Sequence, residues 1–294
     1  MTDRRAILKA GIAAATAAST PVDVSAQRTS ITTSVMLWTL KGPFEQRMET
    51  AAKGGVQSVE LVSEHVAWND QQIKDAKKLA QSLHLGMDTI IATPDWGGRP
   101  VSLVRPEQRE NFLADVRQAI VFAQKLEIPQ IILMSGNAVP GKTRDEQYAS
   151  MLEGVKRAAD LAAKANLTLI IEPLNNKVDH KGFFLDNCVD GLRLVREAGT
   201  PHVKLLFDIY HEQVQLGNVI RSLTDAAPQV AVFHIADNPG RHDPGTGEMN
   251  YDNIYKAIAK TGFKGYVTME YVPSGEPAES LQKALKQARQ HLAA

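Results

Sequence analysis

The chain has 294 residues, 44% of them hydrophobic and 22% charged, with Lys plus Arg and Asp plus Glu equal at 33 each. That length and composition suit one large α/β domain or two small ones of an ordinary globular enzyme. Balanced charge without a Lys/Arg-rich run gives nucleic acid no electrostatic footprint and argues against steering of large polyanions, while leaving small sugars open.

The first 26 residues read as an export leader rather than as part of a fold. A basic start containing Arg4-Arg5 and Lys9 is followed by a short Ala-rich stretch and a small-residue end at Val24-Ser25-Ala26. This is the order of a secretory signal, and the paired arginines point to the twin-arginine route of bacterial export. The stretch is too short and too rich in Ala to span a membrane. The reading places the mature chain, 27–294, in the periplasm as a single domain.

From there, short apolar runs alternate with helix-period segments. Strands are predicted over 31–37, 58–62, 87–92, 130–134, 167–172, 203–208, 230–236 and 266–270. Helices are predicted over 44–53, 70–83, 106–126, 144–166, 186–198, 211–224, 251–260 and 277–291. Asp70 is expected as an N-cap and Asn166 as a C-cap, with Gly199 and Gly262 just beyond helix ends. Successive strands are separated by roughly 25–40 residues, the length of a βα unit. About eight such units in about 265 residues is the arithmetic of a (β/α)8 TIM barrel. A doubly wound sheet is the rival, but Trp38-Thr-Leu-Lys-Gly42 after the first strand is no phosphate loop. Cys188 stands alone and opens a helix, the position of a small packing residue rather than a nucleophile.

The chemistry gathers where four strands stop. The run Leu167-Thr-Leu-Ile-Ile ends on Glu172 and is closed by Pro173, which cannot donate to a ladder. The runs that follow end on Asp208, His234 and Glu270. A charge closing a buried strand is costly unless something pairs with it. In a barrel these four positions, on strands five to eight, open on one mouth and could surround one ion. Three carboxylates and an imidazole favour a fairly hard divalent cation, Mn²⁺ or Mg²⁺ first, with Co²⁺ and Zn²⁺ also admitted. Such an ion acidifies the α-proton of a 2-hydroxycarbonyl compound chelated through both oxygens. Glu172 and Glu270, from strands far enough apart to flank the substrate, are assigned the acid/base pair. Proton return to the neighbouring carbon gives aldose–ketose isomerisation, and return to the opposite face gives epimerisation. His211, following Asp208 by three residues, and the turn carrying Arg241 and His242 are assigned to substrate binding. Glu60, at the end of the second strand, is read as a simple salt-bridge partner rather than a group that supports the site, Glu248 as an anchor of its own loop, and His65, Trp68 and Trp96 as rim walls.

Ile171-Glu172-Pro-Leu-Asn175, Gly182-Phe-Phe-Leu185, Phe207-Asp208-Ile-Tyr-His211, Pro239-Gly-Arg241-His242, Gly247-Glu248-Met-Asn-Tyr251 and Gly265-Tyr with Glu270-Tyr271 resemble the hydroxypyruvate isomerase family of the xylose isomerase-like barrels. The resemblance spans essentially the whole mature chain and is densest from Glu172 to Tyr271. It implies a barrel, a divalent metal at Glu172, Asp208, His234 and Glu270, proton transfer by Glu172 and Glu270, and substrate contacts from His211 and Arg241. His234 departs from those members that carry Gln there and matches the related ketose 3-epimerases. The export leader and Val178-Asp-His-Lys181 depart as well. The expectation is therefore an isomerase of a small hydroxy-keto acid or sugar. Ketose 3-epimerase, a lyase on a 3-keto-sugar and an exported, non-catalytic sugar-binding protein stand as alternatives, and homo-oligomerisation is left open.

Overall fold

A computed structural model of the chain describes residues 30–95 and 98–292. The export leader, the start of the mature chain and Trp96 lie outside the described residues. Eight strands are present: β1 Thr32–Met36, β2 Ser58–Leu61, β3 Gly86–Ile91, β4 Gln130–Leu133, β5 Thr168–Ile171, β6 Val203–Asp208, β7 Val230–Ile235 and β8 Tyr266–Met269. They pair in sequence order into a closed barrel, every neighbour parallel, with β8 returning to β1. The expected (β/α)8 barrel is the observed fold.

The helices that cover it are α1 Phe44–Gly54, α2 Asp70–Ser82, α3 Arg109–Leu126, α4 Arg144–Ala165, α5 Cys188–Ala198, α6 Ile209–Gln215, α7 Val219–Ala226, α8 Tyr251–Lys260 and α9 Pro277–Leu292. In α4 the buried apolar stripe runs through Met151, Val155, Ala158 and Ala162, the three-to-four spacing of one helix face. None of the helices among the described residues is long and apolar enough to cross a membrane.

Two departures from expectation have a clear local cause. The single helix predicted over 211–224 is two, α6 and α7, because Gly217 (φ 71°) and Asn218 (φ 53°) are left-handed and break the helical ladder. The cap of α2 is Asn69 rather than Asp70: its side chain accepts from the Gln71 and Gln72 N–H groups while Gln72 reaches back, a capping box. Asn166 caps α4 in the left-handed conformation, as expected.

The pleat decides what enters the barrel. Alternate residues of a strand share a face, and the register sets Leu206, Val232 and Tyr266 at one level and Asp208, His234 and Thr268 at the next. The first three join Met36, Ile91, Ile132 and Ile170 in an apolar plug inside the barrel. One pleat step further toward the carboxyl ends, the same inward face turns polar. The mouth is thus floored by hydrocarbon and rimmed by charge.

Candidate active site

Glu172 and Glu270 lie one residue beyond β5 and β8, yet their N–H groups still donate to Leu133 O and Ile235 O, so the ladder fixes both backbones. With Asp208 and His234 they form a buried group in which one ligand atom from each lies within 4.8 Å of the others. The structure therefore brings together all four residues expected as ligands. It is the only such group of three or more His, Cys, Asp or Glu side chains among the described residues.

His234, fully buried, holds the group together. Its Nδ1 lies 2.6 Å from Glu270 Oε2 and 3.6 Å from Glu172 Oε1, and its Nε2 lies 3.0 Å from Glu60 Oε2. Burial alone would lower the imidazole's pKa, but Glu60 and Glu270 outweigh it and raise the pKa well above its ordinary value. Glu60 is itself fully buried and accepts from Thr268 Oγ1 at 2.8 Å. It is a salt-bridge partner, as expected, but its partner is a candidate ligand, so it also supports the site, the role the sequence reading set aside. Behind it, Asp88 accepts from Ser34 Oγ at 2.7 Å, and burial, then the Glu60 charge, push its carboxyl up to about 8.

Arg241 meets the same carboxylates from above. Its Nη2 lies 2.8 Å from Glu270 Oε2 and 3.3 Å from Asp208 Oδ2, and its Nε donates to Glu270 O. The rings of Trp38 and Tyr210 each stand 5.3 Å from the guanidinium. Arg241 is left-handed (φ 56°) in a loop tied down by Asp237, whose carboxylate accepts from the Asn238, Gly245 and Met249 N–H groups. Gly247 is required there: a Cβ would stand 2.2 Å from Asn238 O. Glu248 accepts from Asn238 Nδ2 at 2.7 Å and so anchors its own loop.

Asp208 divides its carboxylate. Oδ1 caps α6 by accepting from the His211 N–H, and Oδ2 faces Arg241 and His211 Nε2. Burial, partly offset by Arg241, lifts the Asp208 carboxyl to about 7, and burial likewise raises Glu172. For Glu270, Arg241 and His234 overcome the burial effect and hold the carboxyl well below its usual range. Two of the three acids are thus hard to ionise while no further positive charge is near. A divalent cation would supply that charge, and a hard, oxygen-rich set with one imidazole suits one.

His211 is buried beside the group, whereas His242 is not brought to it. The His242 ring is exposed, with Nδ1 2.9 Å from Val272 O on the outer side of the loop. His65 is buried against Phe122 rather than lining the mouth, and Trp68 packs on Phe44. Trp38, not singled out in the sequence, donates from Nε1 to Glu270 Oε1 at 2.9 Å, and Asn175 contacts His211. Both follow strand ends on the mouth side, a signal available in the sequence.

Comparison with known proteins agrees with this fold. Hydroxypyruvate isomerase of Escherichia coli (strain K12) is 32% identical over 238 residues, 78% of this chain and 88% of the relative. The 2-oxo-tetronate isomerase of Cupriavidus necator is 30% identical over 233 residues, 78% of this chain and 87% of the relative. A solved AP endonuclease, family 2, from Brucella melitensis superposes with a TM-score of 0.78 at 25% identity, covering 87% of this chain and 98% of that one. A family model described as xylose isomerase-like TIM barrel matches residues 48–292. With most of its length matched, the chain belongs to the xylose isomerase-like TIM barrel family.

Proposed function

We propose that the chain is a divalent-metal-dependent isomerase of small hydroxy-keto acids, interconverting the aldehyde and ketone forms by proton transfer between two glutamates. The observation that carries the reading is the pair Glu172 and Glu270, from β5 and β8, inside one buried four-residue group. The isomerase names of the relatives support the reaction class. A carboxylate-rich set for a single ion favours sugar-acid chemistry over a nuclease built on several zinc ions.

Glu172, Asp208, His234 and Glu270 would hold the ion, Mn²⁺ or Mg²⁺ by the hardness of the donors. When bound, it withdraws charge from the substrate's hydroxyl and carbonyl oxygens and so acidifies the C–H between them. One glutamate removes that proton as the electron pair moves into an enediolate, the other delivers a solvent-exchangeable proton to the adjacent carbon, and the hydroxyl proton passes to the former carbonyl oxygen, so the two proton shifts balance and no redox partner is needed. Arg241 lies within reach of a substrate carboxylate, for which its planar fork is suited. Trp38 orients Glu270, and the apolar plug below keeps bulk water from the floor. The leader expected in the first 26 residues makes export to the periplasm part of this proposal.

The test is ¹H NMR in D₂O with hydroxypyruvate and added Mn²⁺ or Mg²⁺ in trace amounts. The expected result is formation of 2-hydroxy-3-oxopropanoate with solvent deuterium at the carbon that received the proton. Inversion of a neutral ketose instead would move the assignment to a 3-epimerase. Binding of sugars with no exchange at any carbon would mark a non-catalytic binding protein.

A further inference from the structure

His211 Nε2 is a buried nitrogen with no hydrogen-bond partner. It lies 3.6 Å from Asp208 Oδ2, too far for a hydrogen bond, at the edge of the carboxylate group. Its other nitrogen is fully engaged. The side-chain amide of Asn175 stands 2.6 Å from Nδ1, and the Asn175 backbone N–H donates to the same atom at 3.3 Å.

The orientation of that amide is fixed by its surroundings. Asn175 Oδ1 accepts from the Val178 and Asp179 backbone N–H groups at 3.0 and 3.1 Å. Nδ2 donates to Asp179 Oδ2 at 2.7 Å, and Asp179 also accepts from Tyr210 OH at 2.9 Å. A flipped amide would set its oxygen against a carboxylate and its NH₂ against two N–H donors. In the observed orientation both amide hydrogens and the amide oxygen are used, and the second hydrogen can only point at His211 Nδ1. Two donors aimed at Nδ1 leave that nitrogen no room for a proton.

We infer that Asn175, held by Asp179, is a positioning residue that fixes His211 as the neutral tautomer with its proton on Nε2, so that the imidazole presents a hydrogen-bond donor to an oxygen of the bound substrate. This rests on the proposed isomerase reading only for the identity of that oxygen; the tautomer itself follows from the contacts. A neutral donor of this kind stabilises negative charge developing on a carbonyl or hydroxyl oxygen without giving up its proton. Asn175 and His211 come from different segments, the loop after β5 and the first turn of α6, so the strap also joins two sides of the mouth.

The test has two arms. In the full-length protein labelled with ¹⁵N-histidine and kept with Mg²⁺, long-range ¹H–¹⁵N spectra, assigned with His211→Gln, are expected to show His211 Nε2 protonated and Nδ1 bare. A protonated Nδ1 would overturn the inference whatever the enzyme's activity. The paired exchange Asn175→Asp with Asp179→Asn keeps two partners facing each other but puts an acceptor beside Nδ1. It is expected to place a proton on Nδ1, as the other tautomer or as the imidazolium that a carboxylate partner favours, and to lower kcat about 10²-fold with a smaller change in KM, the size of losing one neutral donor. A proton on Nδ1 with unchanged kcat would remove His211 from the chemistry, and a bare Nδ1 in a folded variant would remove Asn175 as its cause.

Discussion

Two imidazoles face the same mouth and are held in opposite ways. His234, on β7, lies between carboxylates, with Glu60 on one nitrogen and Glu270 and Glu172 near the other. His211, at the start of α6, has amide donors on Nδ1 and no hydrogen-bond partner on Nε2. Both are buried, and burial opposes charge in both. At His234 the surrounding acids win and its pKa rises well above the ordinary value; at His211 burial and the nearby Arg241 act together and lower it well below. The partner chosen for the far nitrogen, carboxylate or amide, thus separates a ring suited to a cation-binding group from one suited to staying neutral.

The largest effect is expected where neither imidazole can compensate. Glu172→Gln keeps the shape and buried position of the side chain but cannot carry a proton, and should lower kcat by about 10³-fold, within the span of a general base. Steady-state rates with unchanged far-UV circular dichroism would check it; near-normal turnover would take Glu172 out of the mechanism.

The carboxylate side of the comparison can be broken at Glu60. Glu60→Leu strands His234 Nε2 in a buried site and should weaken Mn²⁺ binding by about 10–100-fold, the usual cost of losing the partner behind a metal-ligating His. Glu60→Gln, which still accepts from Nε2, should recover most of it. Isothermal titration of the two variants measures the contrast, and equal affinities would mean that Glu60 does not orient the ring.

Much of the fold and most of the site were legible because strands that end on a charge carry their own signal. Leu206-Phe-Asp208, Val232-Phe-His234 and Ile170-Ile-Glu172 each place the apolar and the charged residue two apart, on one face of a pleat. Glu60 was only half legible: its place at a strand end was visible, but its contact with a residue 174 positions away was not. Contacts that close the barrel across β1, β2 and β8 have no local signature. The same holds for Trp38 on Glu270, 232 positions apart. The split between α6 and α7 was written in Leu216-Gly217-Asn218, where two residues that tolerate positive φ adjoin, and the helical pattern on either side masked it. His242 was drawn in by its adjacency to Arg241, yet neighbours in a tight left-handed turn point to different sides.

A smaller effect tests the buried acid next to Glu60, on the His234 side of the comparison. Asp88, buried and with its carboxyl pushed up to about 8 by burial and then by Glu60, is protonated in the folded chain where an unfolded Asp, near 3.9, is ionised. The folded state therefore binds the extra proton, and this group's contribution to stability is present below about pH 4 and is lost as pH rises toward 8. Asp88→Asn keeps an acceptor for Ser34 and cannot ionise, so its Tm should exceed that of the parent by about 2–4 °C at pH 8 and the gap should close toward pH 4. Thermal melts at the two pH values decide it. A constant gap would mean that Asp88 is ionised in the folded protein throughout.

The central claim is that Glu172, Asp208, His234 and Glu270 share one divalent cation. Anomalous diffraction from a crystal soaked in Mn²⁺ tests it most directly: the account predicts a single strong peak within about 2.0–2.4 Å of an atom from each of the four side chains, the range of such ligand bonds. A peak elsewhere, or none at that spot in a protein that still isomerises its substrate, would contradict it.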